Sequence, residues 1–316
     1  MSKFTFKLNQ FALAALTGLA LMATGTAQAQ DGKGKTIGLA VANLQADFFN
    51  MIKQGVETYG KEKGYKVITV DAKGDATTQV NQIQDLVAQK IDALIYIPAG
   101  ATAAAVPVKA ARAAHIPVIN VDRNVESNPG DTFIYGQSVA ATTELGKWLC
   151  AQTKGKGKAV MIHGQRGTTP EVDRTKGFTE GLASCGIKIT QDQWTERWSA
   201  DEGNRIAQDM LQRDPSVNII VGQADGIAMG AAQAAKLAKL PQKVWVVGFD
   251  GDPGALVAVR NGTLDATATQ QTWTMGKMAV DAVTAVLAGK PVPKEQPTDA
   301  RLTLKSNVDQ FIKQHP

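Results

Sequence analysis

Asp122 and Asp250 each close a short apolar run, Val118-Ile119-Asn120-Val121 and Val244-Trp245-Val246-Val247-Gly248-Phe249. Arg123 follows the first acid and Gly251 the second. A carboxylate accepts two hydrogen bonds side by side, and a guanidinium donates two in a planar fork, so such groups can grip neighbouring hydroxyls. Two acids could also do acid–base work. Singly, each Asp serves as well for the N-cap of a following helix. Together, two acids at two strand ends point to two sheets facing one cleft, because open α/β sheets bind ligands outside the carboxyl ends of their strands.

Other chemistries lack their residues. Gly32-Lys33-Gly34 precedes the first strand, so no dinucleotide fingerprint follows one, and Gly34-Lys35-Thr36 lacks the earlier glycine of a P-loop. Gly136-Gln137-Ser138-Val139-Ala140 departs from the nucleophile elbow at its last residue, and Ser138 is read as a helix N-cap. His115, His163 and His315 show no ligand spacing, and two cysteines do not make a zinc site, so neither metal nor cofactor is expected. His163, at a strand end, is read as a packed histidine, with a place in the cleft as the alternative.

The elements that must hold these residues alternate regularly. Strands are expected at 37–41, 67–70, 93–97, 118–121, 159–163, 188–190, 219–221, 244–247, 264–269 and 301–304, with Phe133-Ile134-Tyr135-Gly136 as a short extended piece. Helices are expected at 47–63, at 142–151, 174–184, 204–212, 227–237 and 275–287, around Val80, Ile83 and Val87, and as an Ala-rich segment between Ile97 and Ala114. Near-continuous apolar strands between helices mean parallel sheets covered on both faces. The series restarts after Gly136 with no low-complexity linker, which suggests two similar lobes on a short hinge.

Lys3 and Lys7, the apolar run Phe11 to Met22 and Ala27-Gln28-Ala29 read as a signal peptide over residues 1–29. The run is too short to span a bilayer. The expectation is a protein exported to a bacterial periplasm, without a lipid anchor. Removing Lys3 and Lys7 leaves 32 basic residues against 29 acidic, and no basic cluster dense enough for nucleic acid. In an oxidising compartment Cys150 and Cys185 either pair as a disulfide or remain as two buried thiols.

Five markers in order resemble a known group: Asp47-Phe48-Phe49, Val121-Asp122-Arg123, Arg174 ahead of Gly177-Phe178, Val247-Gly248-Phe249-Asp250-Gly251, and Gln270. The chain resembles the ribose-binding-protein-like periplasmic sugar-binding proteins of ABC importers, which share their fold with the effector domains of LacI-type repressors. The resemblance implies an α/β fold of two doubly wound parallel-sheet lobes joined by a three-segment hinge, the type I periplasmic binding protein fold. The expected lobes are residues 30–136 with 271–299, and 137–270 with 300–316. It also implies a ligand site of Phe48, Phe49, Asp122, Arg123, Arg174, Trp198, Asp250 and Gln270.

Aromatic walls suit the C–H faces of a sugar, and a few fixed polar groups suit its hydroxyls. Two Asp and two Arg balance, so a neutral monosaccharide or polyol would leave no buried charge uncompensated. Ala46, Ile97 and Ala224 stand where ribose-type members carry polar groups, which argues for a ligand other than ribose. Asp225 either replaces a lost contact or caps the next helix. The implied partners are a membrane ABC permease, with a chemoreceptor as a second candidate, and no nucleic acid. The rival readings are an exported α/β carbohydrate-active enzyme, a repressor, and a receptor for a non-sugar small molecule. A repressor needs an N-terminal helix-turn-helix where the signal peptide stands.

Overall fold

The computed structural model describes Met1 and residues 32–313. The expected signal segment, apart from Met1, and His315 lie outside the described residues. Strands β1 (Thr36–Val41), β2 (Lys66–Asp71), β3 (Ala93–Tyr96), β4 (Val118–Val121), β5 (Thr132–Gly136) and β11 (Glu295–Thr298) form one sheet in the order β11-β5-β4-β3-β1-β2, all parallel. Strands β6 (Ala159–His163), β7 (Ile189–Trp194), β8 (Ile219–Gly222), β9 (Trp245–Val247), β10 (Ala266–Gln270) and β12 (Ala300–Leu304) form the other, in the order β12-β10-β9-β8-β6-β7. Only β12 runs antiparallel, against β10.

Successive strand side chains point to opposite faces, and both faces are apolar here because both are covered. Ile37, Leu39 and Val41 pack with α1 (Asp47–Glu62) and α9 (Thr272–Leu287), while Ala40, Leu94 and Val118 pack with α2 (Ala76–Ala88) and α3 (Ala105–Ala113). In the second lobe Met161 and Val221 join α4 (Ser138–Thr153) and α5 (Thr169–Ala183). On the opposite face Val160 and Ile220 join α6 (Ala200–Arg213), α7 (Asp225–Ala238), α8 (Pro253–Asn261) and α10 (Val308–Ile312). Each of these buried side chains larger than alanine stabilises the fold by about 1.5–3 kcal/mol. The chain changes sheets after Gly136, after Gln270 and between β11 and β12.

Several local expectations give way. Ser138 is the first residue inside α4 rather than its cap. Gln137, whose N–H donates to Thr298 across the crossing at 3.0 Å, is the residue held at non-helical angles. The buried face of α2 is Gln79, Ile83 and Leu86 rather than Val80, Ile83 and Val87. Gln79 is drawn inward because its amide donates to the Ile97 carbonyl at 2.8 Å and accepts from the Ala99 N–H at 2.6 Å. Helix α6 starts before Asn204 because Ser199 and Glu202 form a reciprocal capping box. Helix α8, β11 and α10 were not expected at all.

Helices α4 and α5 approach backbone to backbone. A Cβ on Gly146 would lie 2.8 Å from the Gly181 Cα, so only glycine fits that contact. Beyond the far end of α5, Cys185 is disulfide-bonded to Cys150. Of the two states open to these cysteines, the structure holds the pair.

Candidate ligand-binding cleft

A cavity of about 410 Å³ opens between the two sheets, at the carboxyl ends of their strands. Seven of the eight expected residues line it: Phe48, Phe49, Asp122, Arg123, Arg174, Trp198 and Asp250. The first four come from the first lobe and the other three from the second.

Phe48 and Phe49 open α1 and meet edge to face, with ring centroids 5.1 Å apart. Core packing does not consume Phe48: both rings are 5% exposed and both reach the cavity. Opposite them stands the Trp198 ring, packed against Gly164, where any Cβ would collide with the indole.

Asp122 stands just past β4 at φ 62°, in the left-handed region, where Asp is among the few non-glycine residues tolerated. Its carboxylate lies 3.7 Å from the Arg123 Nε. The Arg123 guanidinium donates to the Pro98 carbonyl at 2.8 Å and, across the cleft, to Gln165 at 3.4 Å. Its charge also faces the Phe49 ring at 5.3 Å and the Trp198 ring at 5.7 Å.

The second lobe repeats the pairing. Arg174, on α5, donates to the Gln223 carbonyl at 2.6 Å and pairs with Asp250 at 3.1 Å, its guanidinium 4.0 Å over Phe249. Gln223 is held in turn by the Glu171 carbonyl and the Thr175 hydroxyl. Burial acts to raise the Glu171 carboxyl, but hydrogen bonds from His163, Gly167 and Trp194 together outweigh it and bring it down to about 2. His163 is itself packed, 2% exposed and stacked on Trp194, and lies off the cavity wall.

Gln270 is the exception among the eight. It sits behind Asp250, donating to its carboxylate at 3.0 Å, and lines a separate space at the crossing with Gln271, Trp273 and Arg301. It therefore orients an acid of the cleft without lining it.

Burial raises the Asp122 and Asp250 carboxyls, with Arg123 and Arg174 opposing at Asp122 and Arg174 opposing at Asp250. Burial likewise lowers Arg123 to about 10, against Asp122. Each charge is thus held in place by its opposite, as buried ions must be. The Nε atoms of both arginines, and the indole N–H of Trp198, have no acceptor among the described residues.

Asp225 neither caps α7 nor lines the cavity. Ala224 holds the cap position, and the buried Asp225 carboxylate accepts from the Gly251 and Asp252 N–H groups at 2.7 and 2.9 Å and from the Thr267 hydroxyl at 2.6 Å. It braces the loop that carries Asp250, whose φ of 129° is strained for any side chain. Of the three positions with an apolar residue, Ala46 and Ala224 line the cavity and Ile97 is fully buried away from it.

The reading of the sequence missed Asn43, Gln45, Arg197, Asp201 and Asp252, all on the cavity wall. Asp252 had a signal, since it shares the strand-end turn with Asp250. Asn43, Gln45 and Arg197 sit on loops without pattern, and Asp201 lies in the first turn of α6, which the sequence placed further along the chain.

The profile of the periplasmic binding protein domain matches residues 37–291. The chain is 32% identical to a ribose import binding protein of Bacillus subtilis, over 82% of this chain and 84% of that one. It is 29% identical to a xylitol-binding protein of Mycolicibacterium smegmatis, over 98% of this chain and 88% of that one. A solved ABC transporter solute-binding protein of Mycobacterium smegmatis with bound glycerol superposes with a TM-score of 0.83 at 28% identity, covering 88% of this chain and 96% of that one.

Proposed function

The chain belongs to the periplasmic binding protein domain family, and on that premise we propose that it is a solute receptor which captures a monosaccharide or polyol between its lobes and hands it to an ABC-type permease. The observation that carries this reading is the cavity itself. Two Asp–Arg pairs, one from each lobe, flank aromatic walls that also come from both lobes. Hydroxyls would bond the carboxylates and the unpaired guanidinium N–H groups, while ring C–H faces would lie on Phe48, Phe49 and Trp198.

Residues 30–136 with 271–299, and 137–270 with 300–316, are read as the two bodies that move. A ligand touching both favours the closed arrangement by its differential affinity for that state. Micromolar binding corresponds to about −8 kcal/mol, within reach of several charged hydrogen bonds after the cost of closing. Residues 1–29 are read as the export signal, the periplasm as the site of action, and the rims of the closed lobes as the surface a permease meets, with a chemoreceptor as a second candidate partner.

The relatives named above are binding proteins, and binding without turnover is the reading adopted here, because Asp122 and Asp250 are each committed to an arginine. A thermal-shift screen over pentoses, hexoses and polyols tests the whole proposal, since a ligand bound only by the folded state raises the melting temperature. A sugar or polyol that shifts the melt and is recovered unchanged supports it. No shift with any of them, or a converted product, overturns it.

A further inference from the structure

The charges of the cavity do not balance. Asp122 and Asp250 are matched by Arg123 and Arg174, but Asp252 lines the same wall with no cation of its own. Asp252 occupies the cap position of α8, yet its side chain makes no bond to that helix. Its backbone N–H donates to Asp225, while its carboxylate has no hydrogen bond or ion pair among the described residues. From the opposite lobe Asp47, the first residue of α1, also lines the cavity. One part of the cleft is therefore acidic from both sides, and the buried guanidinium N–H groups without acceptors belong to Arg123 and Arg174.

We infer that Asp252 is a specificity-determining residue and that the preferred ligand carries its own cation, a monosaccharide or polyol bearing a primary amine. This rests on the sugar or polyol reading given above. Hydroxyls would take the Asp–Arg pairs, and the ammonium would lie between Asp252 and Asp47. An ammonium offers three donors and a charge, which is what an unpartnered carboxylate in a closing, water-poor cleft requires. The described residues contain no group of side chains arranged to hold a metal ion, so the cation is one the ligand brings.

The electrostatics agree in direction. Burial first, then the charges of Asp250, Asp225 and Asp47, push the Asp252 carboxyl well above the usual range, with Arg174 opposing. Arg197 and Asp201, exposed at the cavity, complete the charged groups that line it. An ammonium beside Asp252 favours its ionised form, opposing the burial and the neighbouring carboxylates that disfavour it.

The test uses matched pairs on the mature protein at pH 7: D-glucosamine with D-glucose, D-galactosamine with D-galactose, 1-amino-1-deoxysorbitol with sorbitol, and an aminodeoxyinositol with myo-inositol. N-acetyl derivatives serve as uncharged controls. Titration calorimetry reads the affinity of each member. The expected result is one pair in which the amine binds at least tenfold tighter and loses its advantage on N-acetylation and in the Asp252→Asn variant. Neutral members binding as tightly as their amines in every pair would overturn the inference and leave the sugar receptor standing. No binding by either member of any pair would overturn the inference, while the sugar or polyol reading stands or falls separately on the thermal-shift screen. An amine preference that survives Asp252→Asn, in a variant with an unaltered melt, would also overturn the role of Asp252.

Discussion

Three of the residues on the cleft wall, Asp122, Trp198 and Asp250, carry positive φ angles of 62°, 59° and 129°. Backbones in that region persist only when the surroundings over-determine them. Here the surroundings do so: Asp122 donates its N–H to Ile134, the Trp198 ring packs on Gly164, and Asp250 is bonded to Ala268 and Gln270. Asp122→Asn keeps a side chain that tolerates the left-handed region and removes only the charge opposite Arg123. Ligand affinity should fall by ten- to a hundredfold, about 1.4–3 kcal/mol, while the unliganded melt moves by only a few degrees. Titration calorimetry beside a thermal melt checks both halves, and an unchanged affinity would remove Asp122 from the site. The residue types and their places at strand ends were readable in advance. The backbone angles that aim them were not, because neighbours in the fold impose them.

At the scale of elements, α5 does two jobs at its two ends. Its first turns bring Pro170 and Arg174 to the cleft, and beyond its last turn Cys185 is tied to Cys150 of α4. At 1.5 Å per residue the two ends are roughly 20 Å apart. The disulfide closes a loop of 35 residues, for which chain entropy predicts about 4 kcal/mol of stabilisation. Replacing both cysteines by serine should lower the melting temperature markedly and leave ligand affinity within a factor of two. A loss of affinity comparable to that from Asp122→Asn would show instead that the far end of α5 is coupled to the cleft. Periodicity located most helices, because an apolar stripe is a local pattern. It failed for the face of α2, where two hydrogen bonds draw Gln79 inward, and for α8, whose short Pro-initiated turn carries no long stripe.

At the scale of the molecule, the lobes already touch across the cleft. The Asn124 N–H donates to the Thr169 hydroxyl at 2.9 Å, and Arg123 reaches Gln165. Both contacts join one lobe to the other near the cavity, and on the proposed closing motion they would belong to the closed arrangement. Thr169→Val removes the acceptor at nearly constant volume and should destabilise closure by about 1 kcal/mol, a roughly fivefold loss of ligand affinity. Small-angle scattering should then show a smaller ligand-induced contraction at the same ligand concentration. Full affinity and full contraction in the variant would show that this bond does not hold the lobes together.

Much of this protein was legible without coordinates. Strand and helix patterns are local, and a repeated βα series with no linker leaves few architectures other than two wound lobes. The acids at 122 and 250 follow from strand ends, which the pattern also marks. The tertiary structure alone decided that Gln270 stands behind Asp250, that Asp225 braces a loop, and that Asp252 and Asp47 meet one cavity from opposite sides. Those outcomes depend on distances between segments far apart in the chain. A charge balance counted along the sequence cannot see them, because Coulomb interactions act through space, and it is the fold that decides which charges are near and which of them water can reach.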